Sequence, residues 1–269
     1  MQLRKFAALF AAALTVASGL YAVGNKEQSG LTIENGTLTI GMEIGYPPME
    51  YYDEDGKTPI GFDVDMAKAL VEKMGLKVKF IDTAWDGIFA GVDTGKYDCI
   101  ISSVTVTPER EAAHNFTRPY IANAQAMVLL KGSQVKARSP EETSGLGVAY
   151  QAETTSDIYM AKLADQGVNF TPYEYDKVMN CFDELRLGRV DVIVCDSLVA
   201  VDYIAPADSP FEIVWQGPAE EVFAICLKKG NDALTAALDK ALDELFAEGT
   251  ILRLSREVFK IDMVSAARK

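Results

Sequence analysis

The chain has 269 residues, 49% of them apolar and 24% charged, enough to bury the core of one large domain or two modest ones. Its net charge of −13 argues against nucleic acid or an anionic membrane surface as a partner, since both select a basic face. One histidine and four scattered cysteines form no C-x-x-C pair and no H-E-x-x-H run, so no metal and no cofactor is expected.

Residues 1–23 read as a secretory signal. Arg4 and Lys5 precede an apolar run over 6–17, and the small residues Ala17, Ser18, Gly19 and Ala22 offer cleavage sites. The run falls short of the ~20 residues that span a bilayer. No cysteine stands there for lipid attachment, so a cleaved, periplasmic protein is expected. After a polar linker at 24–30 comes a strand at 38–42, then the stiff loop Tyr46-Pro47-Pro48 and a turn at 53–56 between two extended pieces. Gly61-Phe62-Asp63 opens a helix with Asp63 as its N-cap; Ala67, Leu70, Val71 and Met74 share one face, and Gly75 stops it. Met49, Met66 and Met74 read as core or loop filler. A strand at 78–81, a short helix begun by Trp85 and a strand at 98–101 follow. Strands and helices alternate to the end of the chain, the pattern of an α/β protein with largely parallel sheets.

Thr107-Pro108 is a helix start, with Thr as cap and Pro in the first turn. His114, near the end of that helix, reads as a surface residue. Cys99, Cys195 and Cys226 lie in apolar strand-like runs and read as buried thiols; with Cys181 they give no pairing that spacing alone defines. An internal echo matches residues 95–103 with 188–196: each copy opens with Gly and a cation, runs through an apolar strand and ends in polar residues. Two sheets, one per half, explain the echo. Ligands of open α/β sheets bind beyond the carboxyl ends of the strands, which marks Ser102, Ser103 and Asp196 as binding edges.

Around those edges lie residues suited to a zwitterion. Arg110, in a first helical turn where a cation is unfavourable, either forks onto a ligand carboxylate beside Ser103 and Thr105 or pairs with a surface acid. The segment Gln151-Ala152-Glu153-Thr154-Thr155-Ser156 opens a helix whose N-terminus, with Thr155, either binds an anion or is simply capped. Asp196 either accepts an ammonium group or caps the helix that follows. Tyr46 and Trp85 are pocket walls or core, and Glu43 meets a polar or cationic ligand group or is solvated.

Taken together, Gly61-Phe62-Asp63-Val64-Asp65-Met66, Tyr46-Pro47-Pro48-Met49-Glu50, Trp85-Asp86-Gly87, Gly95-Lys96-Tyr97-Asp98 and Thr107-Pro108-Glu109-Arg110 resemble the periplasmic polar-amino-acid-binding proteins of ABC importers, solute-binding protein family 3, over roughly residues 36–262. The resemblance implies a two-lobed, type II periplasmic-binding-protein fold: two open, mostly parallel sheets joined by two crossing strands. Lobe 1 would comprise 31–122 and 222–262, lobe 2 would comprise 123–221, and 263–269 would form a tail. It further implies that Arg110, Ser103, Thr105 and Thr155 hold the α-carboxylate of a free amino acid. Asp196 and Ser102 take the ammonium, Tyr46 and Trp85 flank the side chain, and Glu43 or Gln151 reads its polar end. A monomeric, non-enzymatic protein would deliver a polar amino acid with a cationic or amide side chain (Arg, Lys, His or Gln), with cystine also left open, to ABC-transporter membrane subunits. The alternatives are an arogenate or prephenate dehydratase on the same scaffold, using Glu153 or Glu43 as acid, and a sensory protein that presents ligand. Glu153 stands where the family has Gly, before the Thr pair.

Overall fold

A computed structural model describes residues 30–267; the predicted signal segment, all but the last residue of the linker, and residues 268–269 lie outside them. In chain order, β1 (Thr37–Met42) is followed by a hairpin of β2 (Tyr51–Tyr52) and β3 (Pro59–Ile60), α1 (Phe62–Met74), β4 (Lys77–Asp82), α2 (Ile88–Asp93), β5 (Cys99–Ile100), α3 (Pro108–Ala113) and β6 (His114–Phe116). The chain then crosses through β7 (Ile121–Asn123) into β8 (Gln125–Leu130), β9 (Gly147–Gln151), α4 (Thr155–Asp165), β10 (Thr171–Tyr175), α5 (Val178–Arg186), β11 (Val192–Asp196), α6 (Ser197–Ile204) and β12 (Phe211–Gln216). It returns through β13 (Glu221–Phe223) to β14 (Cys226–Lys228), α7 (Asp232–Ala247), α8 (Thr250–Phe259) and α9 (Val264–Ala267).

Two five-stranded sheets result, in the orders β4-β1-β5-β14-β6 and β10-β9-β11-β8-β12. The first three strands of each run parallel, and the fourth runs antiparallel to both its neighbours. The two strands of the sequence echo, β5 and β11, hold the same third place. The central strands are buried on both faces, as apolar runs such as Leu38 to Met42 require.

On the first sheet, Phe62 of α1 packs between Tyr120 and Phe259, with ring centroids 6.2 and 5.3 Å away. On the second, Met160 of α4 joins Met127, Val148 and Val192 on one face, and Phe182 of α5 joins Ile193 and Phe211 on the other. Helix α1 stops at Gly75, whose φ of 64° a side chain would resist. Gly91 lies against Tyr97, whose hydroxyl donates to the Ile88 carbonyl, and a Cβ at Gly91 would overlap that ring. All four cysteines are buried and unpaired. Among the described residues no helix is long and apolar enough to cross a membrane.

Two sequence expectations are corrected. Asp63 does not cap α1: Gly61 holds the N-cap position, and Asp63 sits one residue inside the helix. There it is fully buried and accepts from Ser103 N–H (2.8 Å) and the Tyr120 hydroxyl (2.9 Å). His114 is buried as well. Helix α3 ends at Ala113 and the chain goes straight into the sheet, pairing His114 with Lys228 and setting its ring 5.3 Å from that of Phe89.

The sheets are tied by β7 and β13, which pair antiparallel, Asn123 opposite Glu221. The Asn123 amide donates to both Asp196 (2.7 Å) and Glu221 (2.9 Å).

Candidate functional site

Between the sheets, beyond the carboxyl ends of β1, β5, β9 and β11, lies a cavity. Strand ends place most of its wall. Glu43 follows β1, Ser102 and Ser103 follow β5, Gln151 and Asp196 are the last residues of β9 and β11, and Thr155 is the first of α4. Thr105, Arg110, Tyr46 and Trp85 complete the set, so the structure brings all ten residues singled out from sequence to one cavity. Glu50 and Thr154 line it too. For Glu50 the available sequence signal is an acid closing a Pro-stiffened loop, directly after the buried Met49.

Arg110 occupies one end. Thr107 caps α3 by accepting from the Arg110 N–H, as read from sequence. The guanidinium lies over the rings of Trp85 (5.4 Å) and Phe89 (5.1 Å). It donates to the carbonyls of Thr105 (3.0 Å) and Glu153 (3.3 Å). Among the described residues no carboxylate reaches ion-pairing distance of it, which removes the surface-pair reading. Burial lowers its pKa from the ordinary value, and an incoming carboxylate would relieve that cost. Opposite stands the first turn of α4, capped by Thr154, whose hydroxyl accepts from Asp157 N–H.

Asp196 is the second pole. It does not cap α6 with its side chain; it accepts from the Tyr46 hydroxyl (2.6 Å) and the Asn123 amide (2.7 Å). Burial, and then the neighbouring Glu221 carboxylate, raises it to about 7.

The third pole pairs Glu43 with Gln151. The Gln151 amide donates to Glu43 Oε2 (2.7 Å) and to the Asp176 carbonyl (3.0 Å), so both its N–H groups are spent. Glu43 Oε1 and Gln151 Oε1 are buried with no donor. Burial raises Glu43 to about 7, against the opposing effects of Gln151 and Lys177.

Four hydrogen bonds cross between the sheets here: Tyr46 to Asp196, Gln151 to Glu43, and Trp85 Nε1 (3.1 Å) and Arg110 to the Glu153 carbonyl. The cleft is closed around its cavity. Glu153 has φ 60°, a left-handed conformation in which Gly is at ease. Its carbonyl serves the site, while its exposed side chain is not part of the cavity wall.

A model of the bacterial extracellular solute-binding proteins, family 3, matches residues 38–261. The chain belongs to this family. Among its relatives, the L-cystine-binding protein TcyJ of Escherichia coli is 29% identical over 230 residues, covering 86% of this chain and 85% of the relative. Among solved structures, an ancestral arginine-binding protein bound to arginine aligns with a TM-score of 0.79 at 35% identity, covering 83% of this chain and 98% of that one. The ancestral amino acid-binding protein AncCDT-1, a precursor of cyclohexadienyl dehydratase, aligns at 0.75 with 32% identity, covering 83% and 95%. The expected two-lobed, type II fold of this family is the fold found.

Proposed function

We propose that the protein captures a free L-amino acid with a cationic or amide side chain and hands it to the membrane subunits of an ABC importer. The observation that carries this reading is the pair of buried, donorless oxygens, Glu43 Oε1 and Gln151 Oε1. Buried acceptors are stable when they meet a donor, and this end of the cavity asks for N–H groups. Arginine or lysine answers both oxygens with donors, whereas the carbonyl half of a glutamine amide finds none from Gln151.

The remaining roles follow from the other poles. Arg110, Ser103, Thr105 and Thr155 hold the α-carboxylate, Asp196 and Ser102 the ammonium, and Tyr46 and Trp85 flank the side chain. Residues 31–122 with 222–262 move as one body and 123–221 as the other, about β7 and β13. A ligand touching both bodies favours the closed state over the open one. Export by the segment at 1–23, action as a monomer and absence of catalysis belong to the same reading.

The test is thermal unfolding of protein that has been unfolded and refolded to strip ligand, against the twenty amino acids plus cystine and ornithine. Ligand at ~100 times its dissociation constant stabilises by ~2.7 kcal/mol. Shifts from arginine, lysine or ornithine support the reading, and shifts confined to small apolar amino acids refute it. A second reading, dehydration of arogenate or prephenate, is favoured by one observation: Glu43, raised to about 7 inside the cleft, has the character of a general acid. Consumption of either compound, followed by mass spectrometry, would establish it.

A further inference from the structure

At the ammonium-binding edge lie two carboxyl groups to which the proposed function gives no role, Glu50 in the cavity wall and Asp63 outside it. Glu50 and Asp63 are fully buried, and among the described residues neither has a Lys or Arg within ion-pairing distance. One oxygen of each is satisfied by the turn after β5. Glu50 Oε1 accepts from the Ser102 hydroxyl (2.6 Å), and Asp63 Oδ2 accepts from Ser103 N–H (2.8 Å) and the Tyr120 hydroxyl (2.9 Å). The other two oxygens, Glu50 Oε2 and Asp63 Oδ1, are buried with no hydrogen-bond partner, although the two carboxyls are held by consecutive residues of one turn. Two neighbouring buried carboxyls without a cation cannot both stay ionised, and a proton on one supplies a donor for an oxygen of the other.

We infer that Glu50 and Asp63 share a single proton and that this acid pair positions the Ser102–Ser103 turn of the ligand cleft. The pair fixes the direction of the Ser102 hydroxyl. Because its hydrogen is committed to Glu50, Ser102 Oγ faces the cleft as an acceptor; it takes the Glu43 N–H (3.0 Å) and keeps a lone pair for a ligand ammonium. The pair also holds Ser103 at φ 50°, a conformation that a residue with a Cβ rarely adopts, through its N–H to Asp63. The other titratable groups facing the pair are Glu43, from the end of β1, and Tyr120, from the segment before β7; burial raises both, as it raises Asp63 to about 7. Loss of the shared proton at alkaline pH leaves two adjacent charges with no cation, and the turn must shift to part them.

The role in binding rests on the proposed function, but the shared proton does not, so the two are tested apart. In ligand-free protein with labelled side-chain carboxyl carbons, NMR titration should show Glu50 and Asp63 shifting together, with one proton retained well above pH 5. Independent titration of both near pH 4 would overturn the pair whatever the ligand. Once a ligand is in hand, calorimetry from pH 6 to 9 reads the positioning role. Wild type should lose affinity on the alkaline side as the proton leaves. Glu50→Gln, which keeps a donor without a titrating proton, should lose that alkaline limb. Glu50→Ala should weaken binding about tenfold, the loss of one buried hydrogen bond. A Glu50→Gln variant that keeps the alkaline limb would overturn the positioning role, and this holds even if Glu50→Ala fails to fold.

Discussion

Replacement of Glu43 by Gln separates what the side chain does for the fold from what it does for the ligand. Burial holds the carboxyl at about 7 rather than 4.5. Between those values the folded chain keeps a proton that the unfolded chain has released, so stability falls as pH rises from about 4.5 to about 7 and then levels. At about 1.4 kcal/mol per pH unit, the loss is roughly 3 kcal/mol for the closed cleft, in which Gln151 of the other lobe covers Glu43. Glutamine has no proton to lose, and its carbonyl can still accept from Gln151. Glu43→Gln should therefore match wild type near pH 4.5 and, without ligand, melt up to about 6–12 °C higher at pH 8, the full rise requiring a cleft that stays closed, taking about 2–4 °C per kcal/mol for a chain of this size. Binding should move the other way. A charge-assisted bond contributes about 1.5–3 kcal/mol, so arginine or lysine should bind roughly 10- to 150-fold more weakly, with glutamine little changed. Calorimetry at pH 8 and melting curves from pH 4.5 to 8.5 read both effects. Unchanged affinity for arginine and lysine, with an unchanged pH 8 melting point, would refute the reasoning.

Arg110→Ala should weaken binding of any α-amino acid by about 2–5 kcal/mol, roughly 30-fold or more by calorimetry; a loss under fivefold would place the carboxylate elsewhere. Glu153→Gly releases a left-handed residue that costs about 1–2 kcal/mol, less the greater chain entropy of Gly. The melting point should rise by a few degrees and affinity stay within about twofold, because only the Glu153 carbonyl meets Trp85 and Arg110; a fall in melting point would contradict this. Gly91→Ala drives a methyl group into Tyr97 and should cost about 1–3 kcal/mol in urea unfolding, partly recovered by adding Tyr97→Phe.

Alternation of strand and helix, and polar residues set just after apolar strands, make the architecture and much of the cavity readable from sequence, because both follow from how a parallel sheet ends. Thr107-Pro108 is a local signal and its helix begins there. What the sequence hides depends on which surfaces meet. Asp63 has the composition of a cap, yet its partners Ser103 and Tyr120 lie 40 and 57 residues away. His114 looks solvated until β14, from the far end of the chain, pairs beside it. The open choices at Arg110 and Asp196 turn on neighbours from the opposite sheet, Glu153 for one and Tyr46 for the other.

The position of β14 between β5 and β6 imposes an order of assembly. On a chain that emerges N-terminus first, every strand of the second sheet appears before β14 does, and that sheet draws on one uninterrupted stretch. The first sheet meanwhile waits with β5 and β6 unpaired on their inner edges, a state open to mispairing with other chains. The half that carries Arg110 is thus finished last. A product cut short after β12 keeps the strands of its second sheet, but it has no completed cleft with which to sequester ligand.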